Sequence, residues 1–443
     1  MLVLLIVVGA VFVFRSAREG QPRSWTLSDG SVLSVAKVTF GENHLFLYGN
    51  QWISYLSPIV PRVWRNKFYP KVALFKSAGT NDVVIWLQRR RARSQQTTRP
   101  GPEHFRLSVF DEHGLETPIT VNSRSLRVDA PDREITAWTL RSYPHRSAII
   151  GIRLYRPQPE ASPFGEFTFR NYAHQDFPCW KSEGLPETRK AGNLEITLLA
   201  LESGLGMGGQ NSATKTPCND SGTRASFTLK EANRPNRDWS ITRIIATSVT
   251  GDRHISEPGQ WSEAALFADF PAPLWMDEPA WKLRVELTRS ANFLPGETWK
   301  VTGVPVLRGK QLAGGGAMTN IQMADLEFLG LSGPGSILPA RHVAMEGCWN
   351  AHLRTPYPVD DLRFSLVRVE DQLGHTATLK GVRSVLSDGG RGITPRETLY
   401  AFGFDLAPEA RILELTFAIT PIQCVEFQTK AVPTGASGSF RAK

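Results

Sequence analysis

Hydrophobic and polar residues alternate along residues 105–121 in a pattern that two later stretches repeat in altered form. Phe105, Leu107 and Val109 are separated by polar residues, which is the period-two pattern of a strand with one buried face. Asp111 and Gly114 then supply turn residues, and the alternation resumes beyond them. The stretch therefore predicts a β-hairpin.

The two similar stretches are residues 239–255 and 362–378. The later one slips by one residue before Asp371 and Gly374, which indicates a β-bulge, and the looser one turns at Gly251 and Asp252. The aspartates at 111, 252 and 371 are 141 and 119 residues apart, a spacing of whole domains and not of solenoid repeats of about 20–50 residues. The pattern predicts an all-β fold of three tandem β-sandwich domains. The alternative is chance similarity, since turns draw on few residue types.

Breaks in the pattern divide the chain. The predicted division is an anchor at 1–14, a tether at 15–24, β-sandwich domains at 25–177, 193–307 and 320–432, and a disordered tail at 433–443. The linker 178–192 is rich in charged and helix-breaking residues, and 308–319 contains three consecutive glycines. With 37 glycines, 30 prolines and no sustained helical periodicity after residue 14, strands and turns explain the body of the chain.

Residues 1–14 contain no charged side chain and are followed by Arg15, Arg18 and Arg23. As a helix they would span about 21 Å, less than the ~30 Å hydrocarbon core of a bilayer. We expect a single N-terminal membrane anchor, with a start of translation further upstream as one explanation of its shortness. A cleaved signal peptide and a buried strand are the alternatives. The arginines would favour a cytoplasmic body, but analogy with other anchored tandem sandwiches favours an extracytoplasmic one.

The formal net charge of +9 favours anionic partners. The dense basic run of Arg89, Arg90, Arg91 and Arg93 is the candidate anion contact. Its alternative interpretation is a solvated loop at the end of a strand. Nucleic acid is a poor candidate, because zinc-finger spacing, an RNP-like aromatic motif and a helix-turn-helix pattern are missing from the sequence.

Four cysteines, at 179, 218, 348 and 424, have neither CxxC nor metal-ligand spacing. One or two disulfides or four unpaired thiols remain open, and a pair between Cys348 and Cys424 would lie inside the third predicted domain. The aromatic stretch 50–69 is interpreted as a loop that caps a core or as an exposed platform for a sugar or peptide.

Motifs for chemistry are weak. Gly204, Gly206 and Gly209 match the dinucleotide fingerprint in letters, but the residues that follow are rich in turn formers and cannot open the required helix. Two acidic clusters, 111–113 and 277–278, are the most site-like, and in both the acidic residues are explained by turn formation or the start of a strand. The sequence therefore predicts no catalytic, cofactor-binding or metal-binding residues.

These features favour a non-catalytic protein, a membrane-tethered array of β-sandwiches that binds or scaffolds a protein or acidic glycan partner. The alternative function is a hydrolase of polysaccharide or peptide, or the accessory portion of one. That activity would need carboxylates or a nucleophile brought together in a cleft, for example two carboxyl groups roughly 5–10 Å apart beside aromatic rings.

Overall fold

The computed structural model describes nineteen parts of the chain. They are residues 24–48, 71–76, 82–90, 105–119, 123–127, 133–140, 142–156, 162–172, 174, 177–206, 221–235, 238–256, 266–270, 272–307, 317–321, 324–336, 344–355, 361–387 and 397–434. Within these residues the chain forms 29 strands and one 3-10 turn, Pro295–Glu297. The all-β prediction is confirmed. Residues 1–14, predicted as the anchor, lie outside the described parts, and none of the helices described is long and apolar enough to cross a membrane.

Residues up to 170 form two larger sheets and a two-stranded ribbon. The five-stranded sheet has the order β1 (Ser24–Thr26), β2 (Val32–Phe40), β5 (Val83–Arg90), β9 (Arg133–Leu140) and β8 (Ser123–Arg127). The four-stranded sheet has the order β11 (Gly165–Arg170), β10 (Ile149–Tyr155), β6 (Arg106–Phe110) and β7 (Glu116–Pro118), and the ribbon is β3 (Asn43–Tyr48) with β4 (Lys71–Lys76). Rings from the two sheets meet at Trp25 and Phe167, whose centroids are 5.7 Å apart, so the arrangement is sandwich-like.

The middle of the chain forms a second pair of sheets. One contains β12 (Glu187–Ala191), β13 (Leu194–Gly206), β14 (Ser221–Glu231) and β15 (Arg234–Pro235), with β18 (Leu266–Phe270) beside β14 and β29 (Val432–Pro433) beside β13. The other has the order β17 (Arg253–Ser256), β16 (Trp239–Ser248), β19 (Trp281–Arg289) and β28 (Gln423–Thr429). The segment 178–192, predicted as a linker, thus contributes β12.

A third pair of sheets comes from later residues. The three-stranded sheet has the order β20 (Thr298–Pro305), β27 (Ile412–Pro421) and β24 (Leu362–Asp371). The five-stranded sheet has the order β21 (Ala317–Ile321), β22 (Ala324–Ser332), β23 (Trp349–Thr355), β26 (Glu397–Phe404) and β25 (Leu379–Ser387). A similar strand order therefore occurs three times, with β6, β16 and β24 in corresponding positions.

The three hairpin turns share one hydrogen-bond pattern. In the first, the Asp111 N–H donates to the Leu115 carbonyl and the Gly114 N–H donates to the Asp111 carbonyl. The same pairs recur in the turns that begin at Ser248 and Asp371. Gly114, Gly251 and Gly374 have φ angles of 79°, 102° and 83°, a conformation that glycine adopts without steric cost. The residue equivalent to Asp111 is therefore Ser248, and the expected alignment on Asp252 is wrong by four residues.

Two strands are exchanged between the second and third pairs of sheets. In the first pair, β10 is followed in the chain by its sheet neighbour β11. After β19, however, the next strand, β20, pairs with β27, while β28, which follows β27, returns to pair with β19. The ring of Trp299 consequently packs 5.5 Å from Phe417, and the ring of Phe427 lies 6.2 Å from Phe227.

Buried apolar side chains form two large clusters. The first core is continuous across the first two pairs of sheets. Its large buried side chains include Tyr143, Phe227, Trp275, Trp281 and Phe427. The second core lies in the third pair of sheets around Phe402, Phe404 and Phe417. Burial of such side chains contributes about 1.5–3 kcal/mol each and is the main stabilising term.

The fold bears on whether the cysteines form disulfides or remain unpaired thiols. Cys179, Cys348 and Cys424 are unpaired thiols, so the pair between Cys348 and Cys424 is not formed. Cys218 lies outside the described residues.

Candidate functional site

The two acidic clusters that the sequence singles out meet in space. The β6–β7 turn carries His113, and the segment 272–280 before β19 carries Asp277. His113 Nε2 lies 3.0 Å from Asp277 Oδ1, although 164 residues separate them in the chain. We call this contact and the polar groups around it the junction cluster, defined by residues 111–113, 142–147, 250–254 and 275–278.

The turn that presents His113 is built by Asp111. Asp111 Oδ1 accepts hydrogen bonds from the backbone N–H groups of His113 (3.0 Å) and Leu115 (2.8 Å), which closes the turn from inside. Asp111 is buried, and its other oxygen, Oδ2, has no hydrogen-bond partner among the described residues. Glu112 and His113 are left exposed at the tip of the hairpin.

On the other side, Asp277 and Glu278 accept hydrogen bonds from the loop 142–147. Ser147 Oγ donates to Asp277 Oδ2 at 2.6 Å, and Arg146 Nε donates to Glu278 Oε2 at 3.0 Å. Thr250 Oγ1 donates to the second oxygen of Glu278 at 2.6 Å. The carboxylates predicted to start a strand therefore join two pairs of sheets.

Below these surface contacts lies a buried polar layer. His145 Nε2 is 3.5 Å from Asp252 Oδ1, and both side chains are almost fully buried. The ring of Tyr143 lies 3.8 Å from that of His145, and burial raises the pKa of its phenol. His254 approaches Ser142 Oγ at 3.3 Å. Polar groups thus continue from the surface turn into the first core.

Charge and burial act together on the titratable groups of the turn. Burial, with the nearby negative charge of Asp277, raises the pKa of Asp111 to about 6, although hydrogen bonds from Leu115 and His113 oppose the rise. The hydrogen bond to Asp277 raises the pKa of His113 above its usual range. Perturbed groups of this kind concentrate at functional sites, but ion-pair networks produce them as well.

The same place contains a set of metal-ligand types. Glu112, His113 and Asp277 each offer a ligand atom, and these atoms lie within 4.8 Å of one another. The sequence could place Glu112 and His113 on one hairpin but held no signal that Asp277 approaches them. Two acidic stretches, each with turn-forming residues and an otherwise unremarkable pattern, were the only indication.

A second cluster of charges lies between β16, β19 and β24, and the sequence pattern did not predict it. Glu286 is fully buried on β19 and accepts two hydrogen bonds of 2.8 Å from Arg243 on β16. Arg363 on β24 approaches the same carboxylate at 3.4 Å and Arg284 approaches it at 3.5 Å. A buried carboxylate with three arginines needs these partners because its desolvation is costly.

Only part of the arginine run is described. Arg89 lies on β5, where it forms an ion pair with Asp29 and donates a hydrogen bond to Ser31 Oγ at 2.9 Å. Arg90 is exposed at the end of β5. Arg91 and Arg93 lie outside the described residues, so anion contact by the run stays a prediction.

The first two glycines of the fingerprint belong to a strand. Gly204 and Gly206 lie within β13, and Gly204 lies at a β-bulge with φ of 92°. Gly209 and the aromatic stretch 50–69 lie outside the described residues.

No protein-family model matches the sequence, and a search of curated proteins found no match.

Proposed function

We propose that the chain is a non-catalytic binding or scaffold protein, built of three β-sandwich domains and tethered to a membrane by its N-terminal apolar segment. The observation that carries the proposal is the junction cluster, where the most site-like acidic side chains serve as connections. Asp277 accepts a hydrogen bond from Ser147 and contacts His113. Glu278 accepts hydrogen bonds from Arg146 and Thr250. Carboxylates held in this way supply stability between domains.

Three further arrangements support a firmly joined array of domains. The threefold recurrence of strand order supports three domains, and the exchange of β20 and β28 supports mutual dependence of the second and third. The first core, continuous between the first two pairs of sheets, supports a firm link there. Domains that are already fixed lose less conformational entropy when a partner binds, which favours a binding role.

The remaining parts of the proposal rest on composition. The apolar residues 1–14 would hold the body at a membrane, on its extracytoplasmic side, and the net charge of +9 would favour an acidic glycan or the acidic surface of a protein. The contacts we propose for that partner are the arginine run of Arg89, Arg90, Arg91 and Arg93, of which Arg89 also forms an ion pair with Asp29.

The test compares capture with turnover. Tagged full-length chain in detergent micelles is used to capture partners from solubilised membranes and is run on a heparin column, beside an R90S/R91S/R93S variant. We expect saturable capture of a partner and no cleavage of polysaccharide or peptide substrates. The variant should elute from heparin at lower salt, because it has fewer positive charges to hold it on the column.

The hydrolase alternative has a distinct outcome. Turnover that is abolished by Asp277→Asn, in a variant whose near-UV circular dichroism is unchanged, would make the junction cluster an active site. Identical heparin elution of the wild type and the arginine variant would remove the glycan partner from the proposal.

A further inference from the structure

The tip of the β6–β7 hairpin and the segment before β19 bring one imidazole and two carboxylates to one point on the surface. His113 Nε2 lies 3.0 Å from Asp277 Oδ1, and a carboxylate oxygen of Glu112 completes a set of three atoms within 4.8 Å of one another. Ligands of one tetrahedral Zn²⁺, each about 2.0–2.2 Å from the metal, lie roughly 3.4 Å apart. Rotation of the exposed Glu112 side chain can close the remaining difference.

We propose that Glu112, His113 and Asp277 bind a Zn²⁺ ion that joins the hairpin to the segment before β19. One nitrogen and two oxygen donors suit this borderline ion, and a water molecule can take the fourth position. Since the ligands come from parts of the chain 164 residues apart, the ion would act as a clip between the first two pairs of sheets.

Two of the ligands are already oriented by neighbouring groups. Ser147 Oγ donates to Asp277 Oδ2 at 2.6 Å, which leaves Oδ1 directed to His113. Asp111 Oδ1 holds the backbone N–H of His113 at 3.0 Å, which fixes the turn that carries the imidazole. Outer hydrogen bonds of this kind orient the ligands of protein metal sites and strengthen them.

The local charge also calls for a cation. Asp111, Glu112 and Asp277 place three carboxylates around one imidazole, and Asp111 Oδ2 is buried with no hydrogen-bond partner among the described residues. Arg146, the arginine of the junction cluster, is engaged by Glu278 and by the carbonyl oxygen of Pro178 at 2.7 Å. A divalent ion would balance this charge more fully than a single imidazolium.

The chain offers a matched control on the equivalent turn of the third hairpin. His375 Nδ1 contacts Asp371 Oδ2 at 3.0 Å, so this turn also pairs an exposed imidazole with a carboxylate. Among the described residues, however, the only set of three potential ligands is the one around His113. Loss of His375 should therefore leave the proposed site intact.

The test is equilibrium dialysis of the full-length chain, without a histidine tag and in detergent micelles, against ZnCl₂, with zinc counted by mass spectrometry. We expect one tight Zn²⁺ per chain, at least tenfold weaker binding in H113Q and E112Q, and unchanged binding in H375Q. E112Q is the decisive variant because Glu112 is exposed, so its replacement leaves the fold in place.

Cobalt supplies a second measurement on the same proteins. Co²⁺ bound by a nitrogen and two carboxylates should give visible d–d absorption. This absorption should disappear when Zn²⁺ replaces Co²⁺, and it should be missing in H113Q. The proposal is overturned if the wild type binds no zinc at micromolar concentrations, or if E112Q and H113Q bind it as tightly as the wild type does.

Discussion

At the scale of single residues, His254 illustrates how burial makes a titratable group sensitive to pH. It lies on β17 with its ring 5.7 Å from that of Trp281 and its Nε2 3.3 Å from Ser142 Oγ. Burial lowers the pKa of the imidazole, and the negative charge of Asp252 only partly opposes this effect. Tyr143, His145 and Asp252 are the other titratable side chains of the layer.

We expect this histidine to contribute to acid destabilisation. Because its folded-state pKa is below the usual 6.5, the unfolded chain binds the proton more readily as pH falls through 6.5, and the free energy of unfolding decreases. The loss is at most about 1.4 kcal/mol per pH unit for one proton. Below the folded-state pKa, where both states are protonated, the loss is complete.

The measurement is urea unfolding of wild type and His254→Phe between pH 8 and pH 5. At pH 8 the imidazole is neutral in both states, so the difference there gives the packing cost of the substitution. The variant should lose less stability than the wild type on acidification. Parallel stability curves would assign the acid sensitivity to other groups.

At the scale of elements, the exchange of β20 and β28 decides which strands depend on each other. β28 pairs with β19 from Trp281 to Leu287, and β20 pairs with β27 from Ile412 to Ala418. Backbone and side-chain contacts of Glu183 add to the hold on β28, since the Gln428 N–H donates to Glu183 Oε2 at 3.1 Å. The part of the chain before residue 308 therefore contributes β20 to a sheet of the later part, and the part after residue 316 contributes β28 and β29 to sheets of the earlier part.

A protease site inserted between Gly314 and Gly316 tests this dependence. After complete cleavage we expect the two fragments to elute together under native conditions and to separate only in denaturant, because each fragment carries a strand that completes the other's sheet. Size-exclusion chromatography followed by denaturing electrophoresis gives the result. A variant truncated after Pro421, which lacks β28 and β29, should lose this association more easily.

Fragments that separate without denaturant and retain their near-UV spectra would contradict the exchange. That outcome would instead show that β20 and β28 each pair within their own half of the chain.

At the scale of the whole molecule, the first two pairs of sheets are joined by a buried ion pair. The side chain of Glu278 is 2% exposed and that of Arg146 is 15% exposed. Removing one partner of such a pair leaves a charge without compensation and costs about 3–5 kcal/mol, whereas replacing both by neutral groups often costs little. The arrangement therefore allows a double-mutant test.

We expect Arg146→Met to lower the free energy of unfolding by about 3 kcal/mol, and the double variant Arg146→Met/Glu278→Gln to be more stable than the single one, since no buried charge remains. Urea unfolding with a chelator present is the measurement. Lys300→Met serves as the control, because its ion pair with Glu414 is exposed and contributes about 0–1 kcal/mol. Additive effects of the two substitutions would contradict coupling across the junction.

Local sequence determined much of the fold. Period-two alternation identified the strands, and turn residues identified the hairpins, including β6–β7 around Asp111 and Gly114. Such signals are local, because alternation reflects which face of a strand is buried and glycine reflects a φ angle that other residues avoid. The all-β class and the repeated turns therefore follow from the sequence.

Tertiary structure decided which elements meet. β20 and β28 both alternate apolar and polar residues, so their patterns suit either sheet, and only packing of Trp299 and Phe427 in different cores distinguishes their positions. The approach of Asp277 to His113 likewise depends on how two distant loops pack, since no local pattern encodes a contact over 164 residues. Periodicity specifies a buried face, while the choice of its partner is made by side-chain packing and charge pairing in the folded chain.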